Sequence, residues 1–265
     1  MPVADIVNII NDLKCFVLVA FRIAGLVMIA PFFSHRAIPR NVKVALTVAV
    51  AVVIFPTVNR LGLRVPDNMG GYFAVAVTEM AVGAIIGFGV LLVFSAVQLG
   101  GFIADQQIGL AIAQVFNPDS GEESSLLADL LYMVAVTIFI LVGGHRLLLR
   151  VLAVSYDTVP LARADFAHGV AEKLSIGMVS QMFASAVKIS APAVIALMLA
   201  TIVMAIVART VPEMNIFNIG FALRLGLGLI IVALSLPALG WILQTMFARM
   251  TGDLETLVQA LRPGS

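Results

Sequence analysis

Apolar residues run along this chain in blocks too long and too uniform for a soluble core, each closed by a short polar or Gly/Pro-rich connection. The blocks lie at 15–33, 42–58, 72–97, 126–142, 174–208 and 216–247. A helix that crosses a bilayer needs about 20 predominantly apolar residues, so the pattern predicts an all-α, polytopic membrane protein with about six long helices. The blocks are not clean. Arg22 lies inside the first, where a charge either reaches an interface or faces protein. Pro192 and Pro237 fall within the last two, and a proline removes a backbone hydrogen bond and kinks a helix unless neighbours compensate. Both long blocks are therefore expected to break there. Gly83 and Gly87 in the third block form a G-x-x-x-G, a spacing that lets helix backbones approach closely. Between the fourth and fifth blocks, 145–173 is basic and amphipathic.

The connection 98–125, QLGGFIADQQIGLAIAQVFNPDSGEESS, resembles neither a membrane helix nor a hydrated loop. It carries Gly100, Gly101, Asp105, Gln106, Gln107 and an Asn117-Pro118 break, yet it keeps Ile108, Leu110, Ile112, Val115 and Phe116. Non-helical backbone is tolerated at membrane depth only where protein buries it or where it lines a wet cavity. The expectation is a non-helical segment facing a pore or a subunit interface, hinged at Gly100 and Gly101. Ser120 and Glu123 have the S-x-x-E form of a capping box and are expected to end the loop just before the fourth block.

Composition sharpens the class. The chain of 265 residues is 61% hydrophobic and 12% charged, against roughly 25% charged in soluble domains. No hydrophilic block is long enough for a separate domain, so 1–265 reads as one membrane domain with short connections. A net charge of +1 gives no reason to expect nucleic acid. Cys15 is the single cysteine, which excludes a disulfide within the chain, and it reads as a small apolar residue. His35, His145 and His168 lie in separate connections without metal-ligand spacing. There is no phosphate-binding Gly-rich loop and no G-x-S-x-G elbow, so neither a metal, a cofactor nor an enzymatic reaction is expected. The ionisable residues within or beside the apolar blocks are Arg22, Glu79, Asp105, Asp129, Lys188 and Arg224. Acids and bases balance among them, and pairing between helices or subunits is the reading preferred over an ion route. With six spans, the side holding Lys14, Arg60, Arg64, Arg146, Arg150, Arg163, Lys173, Arg249 and Arg262 outweighs the side holding Arg36, Arg40, Lys43 and Arg209. That places both termini in the cytoplasm.

GGFIADQQIGLAIAQVFNPDSG, followed by an apolar helix, Gly143-Gly144-His145 and VSYDTVPL, resembles the FliR family of the flagellar type III export apparatus, whose injectisome counterpart is SctT. The block RTVPEMNIFNIGFALRLGLGLIIVAL at 209–234 resembles the same family, and the match keeps its order over nearly the whole chain. The resemblance implies a subunit packed with FliP-like and FliQ-like proteins in a helical export-gate assembly around a pore. FlhB-like and FlhA-like proteins would stand on its cytoplasmic side, and unfolded export substrates would pass through. It implies a FliP-like part at 1–175, a FliQ-like part at 176–265, and a place in the bacterial inner membrane at the flagellar basal body, in contact with subunits and lipid. In such proteins the loop matching 106–123 plugs the closed pore. Ile108, Leu110, Ile112, Val115 and Phe116 would be its apolar face and Asn117-Pro118 its turn. Ala113 and Gln114 stand where another bulky residue is expected, which shifts the seal toward Ile112 and Phe116.

Three other readings stand beside this one: an injectisome subunit of the same family, a polytopic small-molecule transporter, and a structural membrane subunit with no pore contact. A transporter would show corresponding helix breaks in two halves, and Gly100-Gly101 has no clear counterpart spaced like Pro192 and Pro237.

Overall fold

The computed structural model describes residues 2–34, 38–58, 66, 68–109, 125–164, 166, 172–210 and 216–262. In chain order its elements are α1 (Pro2–Ile29), the short α2 (Pro31–Ser34), α3 (Arg40–Ile54) with a 3-10 turn at Phe55–Thr57, α4 (Met69–Ile108), α5 (Leu126–Leu141) and α6 (Gly144–Thr158). A π-helical stretch, Lys173–Val179, then precedes α7 (Ser180–Thr210) and α8 (Ile216–Ala260). No strand occurs among the described residues. All six apolar blocks are helical. Among the described residues, four helices are long and apolar enough to cross a membrane, or five if α5 and α6 count as one broken span. α1 carries Asp5, Asp12, Lys14 and Arg22 and falls outside that count, which lowers the sequence expectation of about six.

Several boundaries depart from the sequence reading. α4 does not stop at Val97 but continues to Ile108, so 98–108, expected to be non-helical, forms the last turns of a 40-residue helix. At 1.5 Å per residue that helix is about 60 Å long, twice a hydrocarbon core of roughly 30 Å. Pro192 and Pro237 lie inside continuous helices, and neither breaks its helix. Each has a serine two positions earlier whose hydroxyl donates back to a carbonyl, Ser190 to Val187 at 3.2 Å and Ser235 to Val232 at 2.9 Å. Serine hydroxyls and local adjustment are how apolar surroundings tolerate a proline within a helix.

The chain forms two compact units. The first contains residues 1–92, 143–179 and 248–265. Its core holds Leu18, Ile23, Ile86, Leu148, Leu152 and Leu254, all essentially inaccessible to solvent. α1 meets the 3-10 turn after α3 through an edge-on contact of Phe16 and Phe55, 5.5 Å between centroids. α1 and α4 touch backbone to backbone. A Cβ on Gly25 would strike the Met80 carbonyl oxygen, and one on Gly83 would strike that of Arg22. Gly87 lies beside the Leu26 carbonyl, where a Cβ would come within 3.0 Å. Both glycines of the G-x-x-x-G thus serve close packing, which supplies the attraction that burial from water cannot supply between helices in lipid.

The second unit contains residues 93–142 and 180–247. Phe94, Phe139 and Phe247 form its aromatic centre, all fully buried, with centroid separations of 5.5, 5.6 and 5.2 Å, and Tyr132 flanks Phe94. Centroid separations of this size are favourable for aromatic pairs. Gly100 and Gly101 belong to this packing. A Cβ on Gly100 would lie 2.8 Å from Ile189 Cγ2, and one on Gly101 would lie 2.6 Å from the Ala128 Cα. They are contact points of a helix, not hinges of a loop.

Candidate functional site

The end of α4 and the start of α5 flank residues 110–124, the heart of the segment singled out by sequence. Of the expected plug set, only Ile108 lies within the described residues; Leu110, Ile112, Val115, Phe116, Asn117 and Pro118 lie outside them, as do Ser120 and Glu123. Ile108 is fully buried, its side chain against Gly228 of α8, where a Cβ on the glycine would strike it. Gly109 then takes φ +89°, a left-handed conformation that costs a residue with a Cβ about 1–2 kcal/mol. Its amide donates to the Asp105 carbonyl at 3.0 Å, closing the final turn of α4.

α5 begins at Leu126, where its apolar block begins, and its N-cap is Ser125. The Ser125 hydroxyl oxygen accepts from the Ala128 amide at 3.1 Å. Replacement of such a cap by alanine typically costs about 1 kcal/mol. Ser125 was missed by the sequence reading, although a serine directly before an apolar run is itself a start signal.

Asp105 is 1% exposed. The Ser125 hydroxyl and the Leu127 backbone amide at the start of α5 lie near its carboxyl group. The N-terminus of a helix, with its unsatisfied amides and partial positive charge, is a favourable place for a carboxylate. Oδ1 of the same carboxylate is buried without a hydrogen-bond partner among the described residues. An unfilled buried acceptor typically costs about 1–3 kcal/mol.

The other ionisable residues divide sharply. In the first unit Arg22 and Glu79 are both fully buried and bonded to each other, Nε to Oε2 at 2.7 Å and Nη2 to Oε2 at 2.6 Å. Arg22 Nη1 donates to the Ser155 carbonyl at 2.9 Å and to its hydroxyl oxygen at 3.2 Å, while Nη2 donates to the Val159 carbonyl at 3.0 Å. The guanidinium lies 4.4 Å from the centroid of the Tyr156 ring. Glu79 Oε1 accepts from the amide of Ala162, which sits at φ 63°. Arg22 thereby fills carbonyls at the C-terminal end of α6, where a cation complements the helix dipole. In the second unit, Arg224 donates to the Thr201 hydroxyl oxygen at 3.2 Å, and Asp129 and Lys188 are exposed. Lys188 stands at a small cavity with Pro192 and Ser235.

Among the described residues no three His, Cys, Asp or Glu side chains are grouped to hold a metal ion. Cys15 is buried and not in a disulfide.

Comparison with known proteins gives one consistent answer. Residues 13–250 match the family model described as bacterial export proteins, family 1. The flagellar biosynthetic protein FliR of Bacillus subtilis (strain 168) is 28% identical over 95% of this chain and 97% of its own length. FliR of Escherichia coli (strain K12) is 26% identical over 91% of each chain. FliR of Caulobacter vibrioides is 27% identical over 85% of this chain and 89% of its own. These matches draw on both compact units, and the family's span takes in the Arg22–Glu79 pair and the Asp105–Ser125 junction alike: the chain belongs to the bacterial export proteins of family 1.

Proposed function

We propose that this chain is a membrane component of the flagellar type III protein export gate, required for flagellum assembly because it helps to form and close the pore that passes unfolded flagellar subunits. The observation that carries the reading is the near end-to-end relation to proteins named for flagellar biosynthesis, 95% of this chain against 97% of the B. subtilis protein. Relatives with that name favour a flagellar over an injectisome assignment and weigh against a small-molecule transporter.

The partners in this proposal are FliP-like and FliQ-like subunits, with FlhB-like and FlhA-like proteins on the cytoplasmic side. Exposed apolar surface supports packing of this kind. α7 and α8 present Ile195, Leu199, Ile206, Ile230, Leu234 and Trp241, each more than half exposed. Such faces need lipid or neighbouring subunits, and the 45 residues of α8, about 67 Å at 1.5 Å per residue, exceed what a hydrocarbon core of roughly 30 Å covers. The proposed location is the inner membrane at the base of the flagellum. The division into a FliP-like part at 1–175 and a FliQ-like part at 176–265 falls within the π-helical stretch Lys173–Val179. The plug is assigned to Leu110, Ile112, Val115 and Phe116, with Asn117-Pro118 as its turn and the buried Ile108 as its anchored end. Its role is to exclude water, since hydrophobic constrictions gate by dewetting.

Deleting the gene in its own host tests the assignment. Secretion of flagellar subunits and filament growth should stop, cell growth should be unaffected, and supplying the chain in trans should restore both. Undiminished secretion by the deletion strain would remove the proposal.

A further inference from the structure

α7 is long and apolar enough to cross a membrane, yet it presents a charge on its open side. Lys188 is exposed and has no carboxylate or hydroxyl partner among the described residues. Ala184, Pro192, Ile195 and Leu199 share its side of α7 at helical spacing, all of them exposed and none with a side chain that could bond an ammonium group. The other cations of the second unit, Arg209 and Arg224, are remote. Arg224 is held at Thr201, about 20 Å along α7 from Lys188 at 1.5 Å per residue, and Arg209 lies further still.

Within the second unit, Lys188 stands at a cavity of about 30 Å³ shared by α4, α5, α7 and α8. The side chains lining it are apolar apart from Lys188 and Ser235. The Ser235 hydroxyl donates to the Val232 carbonyl, so it offers an acceptor and no free proton. Pro192 carries no N–H, so the Lys188 carbonyl four residues earlier lacks its helical donor. The site is therefore rich in acceptors, and the Lys188 ammonium is its donor. A space of this size takes a water or the tip of a side chain and excludes a phospholipid headgroup.

A charge on a membrane helix calls for an opposite charge, a carbonyl or a wet cavity. Lipid phosphates are held by basic residues in clusters, and Lys188 is solitary. Its neighbours one turn away on either side, Ala184 and Pro192, are short, which lets another helix approach closely. A carboxylate on that helix would meet the ammonium away from water, where opposite charges attract most strongly.

We propose that Lys188 is the docking point for an aspartate or glutamate side chain on an apolar helix of a neighbouring membrane subunit, with Ala184 and Pro192 as the surfaces that admit that helix. The inference rests on the export-gate reading for the presence of neighbouring subunits, and on the second unit's own geometry for the position.

The test compares Lys188→Arg, Lys188→Gln and Lys188→Glu in the full chain, expressed in its own host and extracted through a tag. Two quantities are read: the share of the chain found in the large complex, and crosslinking by a membrane-permeant carbodiimide. That reagent joins a paired lysine amine and carboxyl group as an amide and takes up the water as its urea. Because Lys188 is exposed and unpaired among the described residues, all three variants should match the parent in membrane abundance. Lys188→Arg keeps the charge and should assemble like the parent, while losing the crosslink because a guanidinium does not react. Lys188→Gln should assemble about fivefold less, and Lys188→Glu about tenfold less or worse, since like charges then face each other. In the parent, the Lys188 peptide should be recovered joined to an aspartate or glutamate of another protein.

Parental assembly of Lys188→Gln, in a host where the parent does form a complex with other proteins, would overturn the docking point and leave the gate reading intact. A crosslink to an acid of this chain would overturn it by giving Lys188 an internal partner; Asp105 is the first to check, since Ala104 beside it lines the cavity. Assembly that collapses when the host is depleted of anionic phospholipid, without any crosslink to protein, would assign the site to a lipid phosphate and overturn it too. A parent chain extracted alone would remove the gate reading itself, and the docking point with it.

Discussion

Replacing Arg22 with alanine is expected to reduce the amount of this protein in the membrane by about an order of magnitude, through loss of stability alone. Arg22 is fully buried, and its guanidinium holds Glu79, the Ser155 carbonyl and hydroxyl, and the Val159 carbonyl. Its removal leaves the Glu79 carboxylate without compensating charge and strands carbonyls at the end of α6. Breaking a buried pair by removing one member typically costs about 3–5 kcal/mol, a large share of the 5–15 kcal/mol typical of a folded domain. Arg22→Lys should be intermediate, since a lysine keeps the charge but cannot present the planar fork that reaches three partners at once. Glu79→Gln should be milder than Arg22→Ala, because the Arg22 bonds to Ser155 and Val159 remain. Quantitative detection in membrane fractions, with thermal unfolding in detergent, checks the order. Abundance of Arg22→Ala equal to the parent would show that the pair bears no weight in the fold.

Deleting residues 110–116 is expected to leave the gate assembled and make the cell leak small ions. The deletion spares Ile108 and Gly109, since Ile108 is packed against Gly228 and Gly109 closes α4 in a left-handed turn. Taking Ile108 as well would open a cavity in the second unit, and a buried isoleucine lost from a core costs about 2–5 kcal/mol. The leak follows from the task. A passage wide enough for unfolded chains conducts ions unless something apolar excludes water from it. Membrane potential and ion-efflux measurements on cells with an equal amount of assembled gate give the readout. A tight membrane after the deletion would leave the apolar residues of the segment with a packing role only.

The sequence displayed the architecture where one physical signal acted alone. α5 starts at Leu126 because the apolar run starts there, and it stops because Gly143 at φ +76° turns the chain into α6. The G-x-x-x-G of Gly83 and Gly87 was legible for the same reason, since small residues at that spacing have little other use on an apolar helix. Where two signals competed, the local one misled. Gly100, Gly101 and Asp105 suggested a loop, yet the two glycines admit Ile189 and Ala128 close to the α4 backbone, and Asp105 is buried within the same helix. Pro192 and Pro237 suggested breaks, but an apolar environment penalises every open backbone group, so the helices persist through them.

The pairing among charges was legible only as a balance of signs. Arg22 and Glu79 are 57 positions apart, and nothing local announces their contact. Ser125 was overshadowed by the S-x-x-E pattern just before it, although the residue next to the apolar run is the one that caps.

The central claim is that this chain works as one subunit of a hetero-oligomeric export gate. The most direct test is the native mass of the complex extracted from its own membrane through a tag on this chain. The account predicts a particle many times the 28.1 kDa of the chain, releasing several copies of at least two other small membrane proteins when dissociated. A particle containing this chain alone, as monomer or homodimer, would contradict it.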